Sequence, residues 1–107
     1  MPVKNGNLYL EGLRAHPKDL WIEGEKVTDV TRHVAFSRAA NSIAALYDMQ
    51  HDPILAKEMT FNSNAGGISE GLSFITPTSQ EHLIQRGKMM LNWARFSGGV
   101  LARTPDY

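Results

Sequence analysis

The 107-residue sequence predicts a mainly α-helical domain that carries one small β-hairpin. Three observations predict it. Apolar residues recur at helical spacing from Phe36 to Tyr47 and again from Leu83 to Leu101, which puts one apolar stripe on each of two helices. A single pair of β-prone runs flanks Glu23-Gly24-Glu25-Lys26, the arrangement of a short hairpin. Apolar residues make up 42% of the chain, a modest core for one domain spanning residues 1–107.

Each element has its own warrant. Leu8, Leu10 and Leu13 fit a short amphipathic helix over residues 7–15, and Pro17 stops it because its ring cannot enter a helix interior. The hairpin follows within residues 19–30 and turns at Gly24. Two strands alone are marginal in water, so it must pack on helices. Phe36, Ala39, Ala40, Ile43, Ala44, Leu46 and Tyr47 mark a helix over residues 35–49. Asp52-Pro53 closes it and opens a short helix over 53–59, with Asp52 as N-cap and Pro53 at the first helical position.

Residues 62–71 are polar and Gly-rich and read as a loop; residues 72–75 read as a brief extended segment. Thr78-Ser79-Gln80-Glu81 is a capping-box pattern, in which Thr78 and Glu81 each satisfy backbone N–H groups at a helix start. It opens the longest helix, residues 79–102, with Leu83, Ile84, Met90, Leu91, Ala94 and Leu101 on its apolar side. Gly98-Gly99 costs such a helix roughly 1 kcal/mol per glycine relative to alanine. The pair therefore marks a helix end, or close approach by another backbone or a ligand, and Pro105 terminates the helix in any case.

Composition narrows the function. Eleven basic residues balance eleven acidic ones, which argues against a nucleic-acid partner, since displacing counterions from phosphates needs a cationic excess. With no cysteine, disulfides, thiolate zinc sites and cysteine-held iron–sulfur clusters are excluded within the chain. Residues 1–12 lack the basic-then-apolar pattern of a signal peptide, and no stretch reaches the ~18 apolar residues of a membrane span. A soluble, cytoplasmic protein without a membrane partner is the expectation.

Among candidate chemistries, His16, His33, His51 and His82 lie too far apart for a local metal motif and read as solvated or capping histidines. Gly66-Gly67 and Gly71 match neither dinucleotide nor P-loop spacing. Met89, Met90 and Trp93 are explained by core packing. Arg103-Thr104-Pro105-Asp106-Tyr107 differs, because three of its five residues are capable of strong polar contacts and they directly follow a long helix and a glycine pair. One reading is a helix-terminating turn in which Arg103 pairs with Asp106 or caps carbonyls. The other has the Arg103 fork and the Tyr107 hydroxyl holding an oxyanion in a pocket.

The segment Ser97-Gly98-Gly99-Val100-Leu101-Ala102-Arg103-Thr104-Pro105-Asp106-Tyr107 resembles the Gly-Arg-Thr-Pro-Asp-Tyr segment of the 4-hydroxyphenylacetate 3-monooxygenase oxygenase-component family. Upstream, residues 21–31 are similar to that family's hairpin, Gly-Glu-(Arg/Lys)-Val-x-Asp-Val-Thr, followed here by His33 and Ala35-Phe36. Leu46-Tyr47-Asp48 and residues 79–95 match two of its helices in the same order. Val34 stands where the family usually has proline and Ala102 where it has glycine; neither touches a group that does chemistry, though Ala102 alters how closely the backbone approaches a ligand.

The resemblance implies the N-terminal helical domain of an acyl-CoA-dehydrogenase-like flavin monooxygenase. Such an enzyme uses reduced FAD, supplied by a separate flavin reductase, to hydroxylate a phenol ortho to its hydroxyl and give a catechol. Arg103 and Tyr107 would be the catalytic and substrate-binding pair that holds the phenolic oxygen. Homo-oligomerisation of the full-length form is implied; the residues that bind flavin, and any metal, are not. The family's middle β domain and C-terminal helical bundle lie outside these 107 residues, so the chain alone is expected to be catalytically incomplete. Two alternatives stand beside this. One is a non-catalytic helical module that associates through an exposed apolar face. The other is the 4-hydroxybutyryl-CoA dehydratase branch, whose cluster-ligating cysteines are missing from residues 96–103.

Overall fold

A computed structural model describes residues 4–62 and 67–99. These fall into two compact units, one of Lys4–Asp48 and one that begins at Met49.

In the first unit, α1 (Gly6–Ala15) is opened by Asn5, whose side chain accepts from the Leu8 backbone N–H at 2.8 Å. Strands β1 (Leu20–Ile22) and β2 (Glu25–Val27) form the expected hairpin in antiparallel register, Ile22 opposite Glu25. The two loop residues, Glu23 and Gly24, have φ of 50° and 81°. Positive φ at both central positions matches the twist of the flanking strands, and glycine takes the second one at no steric cost. Helix α2 (Ser37–Met49) follows a turn in which the His33 carbonyl accepts from Phe36 and Ser37. Most of its stripe faces inward, with Ala40, Ala44 and Leu46 buried together with Val27 of the hairpin, while Ala39 is exposed.

The second unit holds α3 (Ala56–Met59), strands β3 (Thr60–Asn62) and β4 (Ser69–Gly71), a one-turn 3-10 helix (Leu72–Phe74) and α4 (Gln80–Ser97). Asp52 is not the N-cap of α3, which is Leu55 and has no side-chain cap bond; the Asp52 carboxylate instead accepts from the Ile54 and Leu55 N–H groups at 2.8 and 3.1 Å and holds the turn that precedes the helix. The α-helix proper begins three residues after Pro53. Met59, Leu72, Met89 and Trp93 are the buried apolar residues, and α4 packs against α3 and the 3-10 helix.

Four further expectations are corrected. The 62–71 stretch is not wholly a loop, because β3 and β4 pair antiparallel with Phe61 opposite Glu70. Ser69-Glu70-Gly71 has weak β preference, so pairing and not propensity makes the strand. Residues 72–74 coil into a 3-10 turn instead of extending. The cap of α4 is shifted by one residue: Ser79 accepts from the His82 N–H, and His82 Nδ1, not Glu81, reaches back to the Thr78 N–H at 3.2 Å. Finally, α4 ends at Ser97, several residues before 102, and buries a different face from the one its sequence stripe suggests.

Candidate functional site

Arg103 and Tyr107, the residues to which the sequence assigns catalysis and phenol binding, lie outside the described residues. What the structure describes is the helix that leads to them. Inside α4, Met89 is fully buried and Trp93 is 7% exposed, which roots the helix in its own unit. The Trp93 Nε1 donor is buried and finds no hydrogen-bond partner among the described residues. Near the other edge of the buried stripe, the Asn92 amide donates to a Glu58 carboxylate oxygen at 2.9 Å and to the Met59 sulfur at 3.6 Å, tying α4 to α3.

The exit from α4 is sharply defined. Gly98 has φ 64° and ψ 26°, and Gly99 has φ 89°. Both N–H groups turn back onto the Ala94 carbonyl, Gly99 at 2.7 Å, the six-to-one closure of a Schellman-type C-cap. Of the readings open for the glycine pair, a helix end is therefore the one realised. Among the described residues, a Cβ at either position would meet nothing within 4 Å.

A second cluster, absent from the sites read in the sequence, surrounds Asp29. Its carboxylate accepts from the Thr31 hydroxyl at 2.6 Å and the Thr31 N–H at 2.9 Å. It also lies 4.0 Å from Arg14 and 3.7 Å from Arg32, while Arg14 Nε donates to the Thr31 hydroxyl at 3.0 Å. The Thr31 hydroxyl bond is the main reason the carboxyl sits below its ordinary range; partial burial opposes it, and the Thr31 N–H, Arg14 and Arg32 add to the lowering. The Asp-x-Thr spacing was the available signal, since a carboxylate readily accepts from the backbone two residues on. The cluster pins the end of α1 to the chain leaving β2. That is a structural clamp, with both arginines engaged.

Tyr9 and Tyr47 stack with ring centroids 5.0 Å apart. Burial, and then the neighbouring Tyr47, raise the Tyr9 hydroxyl above its ordinary value. His33 accepts the Ala35 N–H at Nδ1 and packs on Phe36, so it acts as a cap, as does His82. Among the described residues no three His, Asp or Glu side chains come together as a metal site. No helix among them is long and apolar enough to cross a membrane.

Known proteins contain a similar segment within longer chains. Residues 5–107 match the family described as 4-hydroxyphenylacetate 3-hydroxylase N terminal. The oxygenase component of 4-hydroxyphenylacetate 3-monooxygenase from Geobacillus sp. (strain PA-9) is 42% identical over 107 residues, covering 100% of this chain and 21% of that protein. Its counterpart from Thermus thermophilus is 39% identical over 98% of the chain and 21% of its own length. A crystal structure of such an oxygenase component, complexed with FAD and 4-hydroxyphenylacetate, superposes with a TM-score of 0.80 at 40% identity. It covers 85% of this chain and 19% of that one. The chain thus spans about a fifth of the length of the relatives it matches.

Proposed function

We propose, because the chain belongs to the 4-hydroxyphenylacetate 3-hydroxylase N-terminal family, that it forms the N-terminal part of a reduced-flavin-dependent monooxygenase. The substrate is a phenol of the 4-hydroxyphenylacetate kind, hydroxylated ortho to its hydroxyl to give a catechol. The observation that carries this reading is 42% identity to such an oxygenase across the whole chain, the Arg103–Tyr107 segment included. One oxygen atom of O2 enters the ring and the other leaves as water, with two electrons coming from reduced FAD. The words "oxygenase component" in the relatives' names support a separate flavin reductase as partner. A homo-oligomeric full-length enzyme in the cytoplasm belongs to the same reading.

In this reading most of the flavin site is supplied by parts of the enzyme other than these 107 residues. A ligand of that size needs most of its surface enclosed, and about four-fifths of each flavin-dependent relative lies beyond the part matched here. Reduced FAD, when bound, supplies the oxygen-activating chemistry. The part assigned to this chain is to hold the phenol. Arg103 presents a planar, permanently charged fork to the phenolic oxygen, and the Tyr107 hydroxyl donates a second hydrogen bond. Both favour phenolate, whose negative charge raises electron density at the ortho carbon.

The test is a graft. This chain replaces the corresponding fifth of the Geobacillus oxygenase, and the hybrid is supplied with reduced FAD, oxygen and 4-hydroxyphenylacetate. Catechol formation is the expected result. A folded hybrid that consumes reduced flavin and forms no catechol from any simple para-substituted phenol defeats the reading.

A further inference from the structure

Helix α4 is apolar on two sides. Met89 and Trp93 face the interior of their unit. Leu83, Ile84 and Leu91, with Gly87, Met90 and Ala94 among them, occupy a separate arc of roughly 120° at 3.6 residues per turn. There Leu83 is 59%, Ile84 45% and Leu91 47% exposed. At the centre of that arc a Cβ on Gly87 would meet nothing within 4 Å. Three large exposed side chains around an open glycine make a surface on which another backbone can lie close to the helix.

The size of the patch bears on its occupant. A free partner must offset several kcal/mol of lost translational and rotational freedom, and stable interfaces bury on the order of 1,200–2,000 Å². One face of a three-turn stretch of helix falls well short of that. It suffices for a segment already tethered to the same chain, which docks at high effective concentration. Charge argues the same way. Lys88 and Arg95 flank the patch on one side, and antiparallel pairing with a second copy would set Lys88 against its own counterpart. The matched family is described as an N-terminal one, and about four-fifths of each relative lies beyond the matched part.

We infer that the Leu83–Ile84–Leu91 face of α4, centred on Gly87, is the seat for the polypeptide that follows this segment in a full-length hydroxylase. The inference rests on the functional reading above for the identity of that occupant. It assigns these residues to contact between parts of one enzyme, and it makes Gly87 the point of closest backbone approach.

The experiment compares two settings: the 107-residue chain alone and the Geobacillus graft. Leu91→Glu and Gly87→Leu are expected to lower the melting temperature of the graft by several degrees or to abolish its soluble assembly. Phe96→Glu, at a residue just as exposed but on the other side of α4, is expected to leave the graft unchanged. In the chain alone, Leu91→Glu should leave circular dichroism and elution volume as they were. Equal melting of the Leu91→Glu and Phe96→Glu grafts overturns the inference. So does a graft of the unaltered chain that fails to assemble. It is also overturned if the chain alone is a dimer that Leu91→Glu dissolves while the graft is indifferent, because the occupant is then a second copy. Docking is read by melting and elution, not turnover. A graft that assembles and is sensitive at Leu91 but hydroxylates nothing sinks the functional reading and leaves the seat standing.

Discussion

The backbone N–H of Gly6 donates to the Asp48 carboxylate at 2.7 Å, across 42 residues of sequence. The bond joins the first turn of α1 to the last turn of α2. It satisfies an N–H that helix geometry leaves without an intrahelical partner, and it sets a negative charge at the positive end of the α1 dipole. The approach is close enough that a Cβ on Gly6 would lie 2.5 Å from the Ala44 carbonyl oxygen. Backbone is what it would strike, so no side-chain rotation relieves it. Gly6→Ala is expected to destabilise the fold by about 1–3 kcal/mol, the usual cost of overpacking. Asp48→Ala removes the cap and should cost about 1 kcal/mol. Thermal melts followed by circular dichroism check both, and a Gly6→Ala melt at the wild-type temperature contradicts the close packing.

Asp29 makes the fold sensitive to acid in a defined direction. Its carboxyl sits below its ordinary value chiefly through the Thr31 hydroxyl bond. A lowered folded-state value means the folded chain releases that proton more readily than the unfolded one. The stabilisation is therefore complete above the unfolded carboxyl value, near ~3.9, and is lost as pH falls through the lower folded value. Thr31→Val keeps the shape and deletes the hydroxyl. Carbon-detected NMR titration of Asp29 should then show its midpoint moving up toward the ordinary range. An unmoved midpoint would mean that the Thr31 N–H and the arginines, not the Thr31 hydroxyl, set it.

The raised Tyr9 hydroxyl acts at the other end of the pH scale. The folded chain holds this proton more tightly than the unfolded one. Its contribution is intact below the unfolded tyrosine value, near ~10, and is lost as pH rises through the folded value. Tyr9→Phe removes the titrating group and should flatten the fall in melting temperature as pH rises above the ordinary tyrosine value, near ~10. An unchanged alkaline slope would assign that fall to other groups.

The two tryptophans report on different surroundings. Trp21 on β1 is largely exposed, whereas Trp93 is buried in α4. In Trp21→Phe the remaining emission should be blue-shifted and several-fold less quenched by acrylamide than that of Trp93→Phe. Trp93→Ala should cost about 3–5 kcal/mol, as expected for emptying a core aromatic site. Equal quenching of the two single-tryptophan variants would show that α4 is not rooted by this face.

Arg103 carries the functional reading and is tested in a full-length context. Arg103→Lys keeps the charge but loses the planar fork, so it should lower hydroxylation noticeably. Arg103→Ala should lose more, on the order of 2–4 kcal/mol of transition-state stabilisation, the range for one well-placed oxyanion donor. Reduced flavin should still be consumed, with hydrogen peroxide appearing in place of catechol. Tyr107→Phe should act in the same direction. Normal catechol yield per reduced flavin in Arg103→Ala would leave the residue a helix-terminating cap.

Much of this protein is legible in its sequence because the signals are local. Asn5 caps α1 and Asp52 holds the turn before α3 by bonds within three residues, Gly24 turns a two-residue loop, and the α2 stripe buries Ala40, Ala44 and Leu46 as its spacing requires. The Arg103–Tyr107 segment is legible only through its family resemblance, since a five-residue polar run is equally well a turn. Tertiary structure decided the rest. Ser69-Glu70-Gly71 becomes a strand because β3 offers it a partner. Asp29 meets Arg14 because the hairpin returns the chain to the end of α1. For α4, periodicity identifies apolar arcs but does not say which one meets the core. The stripe with more apolar residues, Leu83, Ile84 and Leu91, is left exposed, and the narrower Met89–Trp93 arc is buried where α3 and the 3-10 helix close over it. A helix apolar on two sides has two ways to bury a face, and only the elements packed against it choose between them.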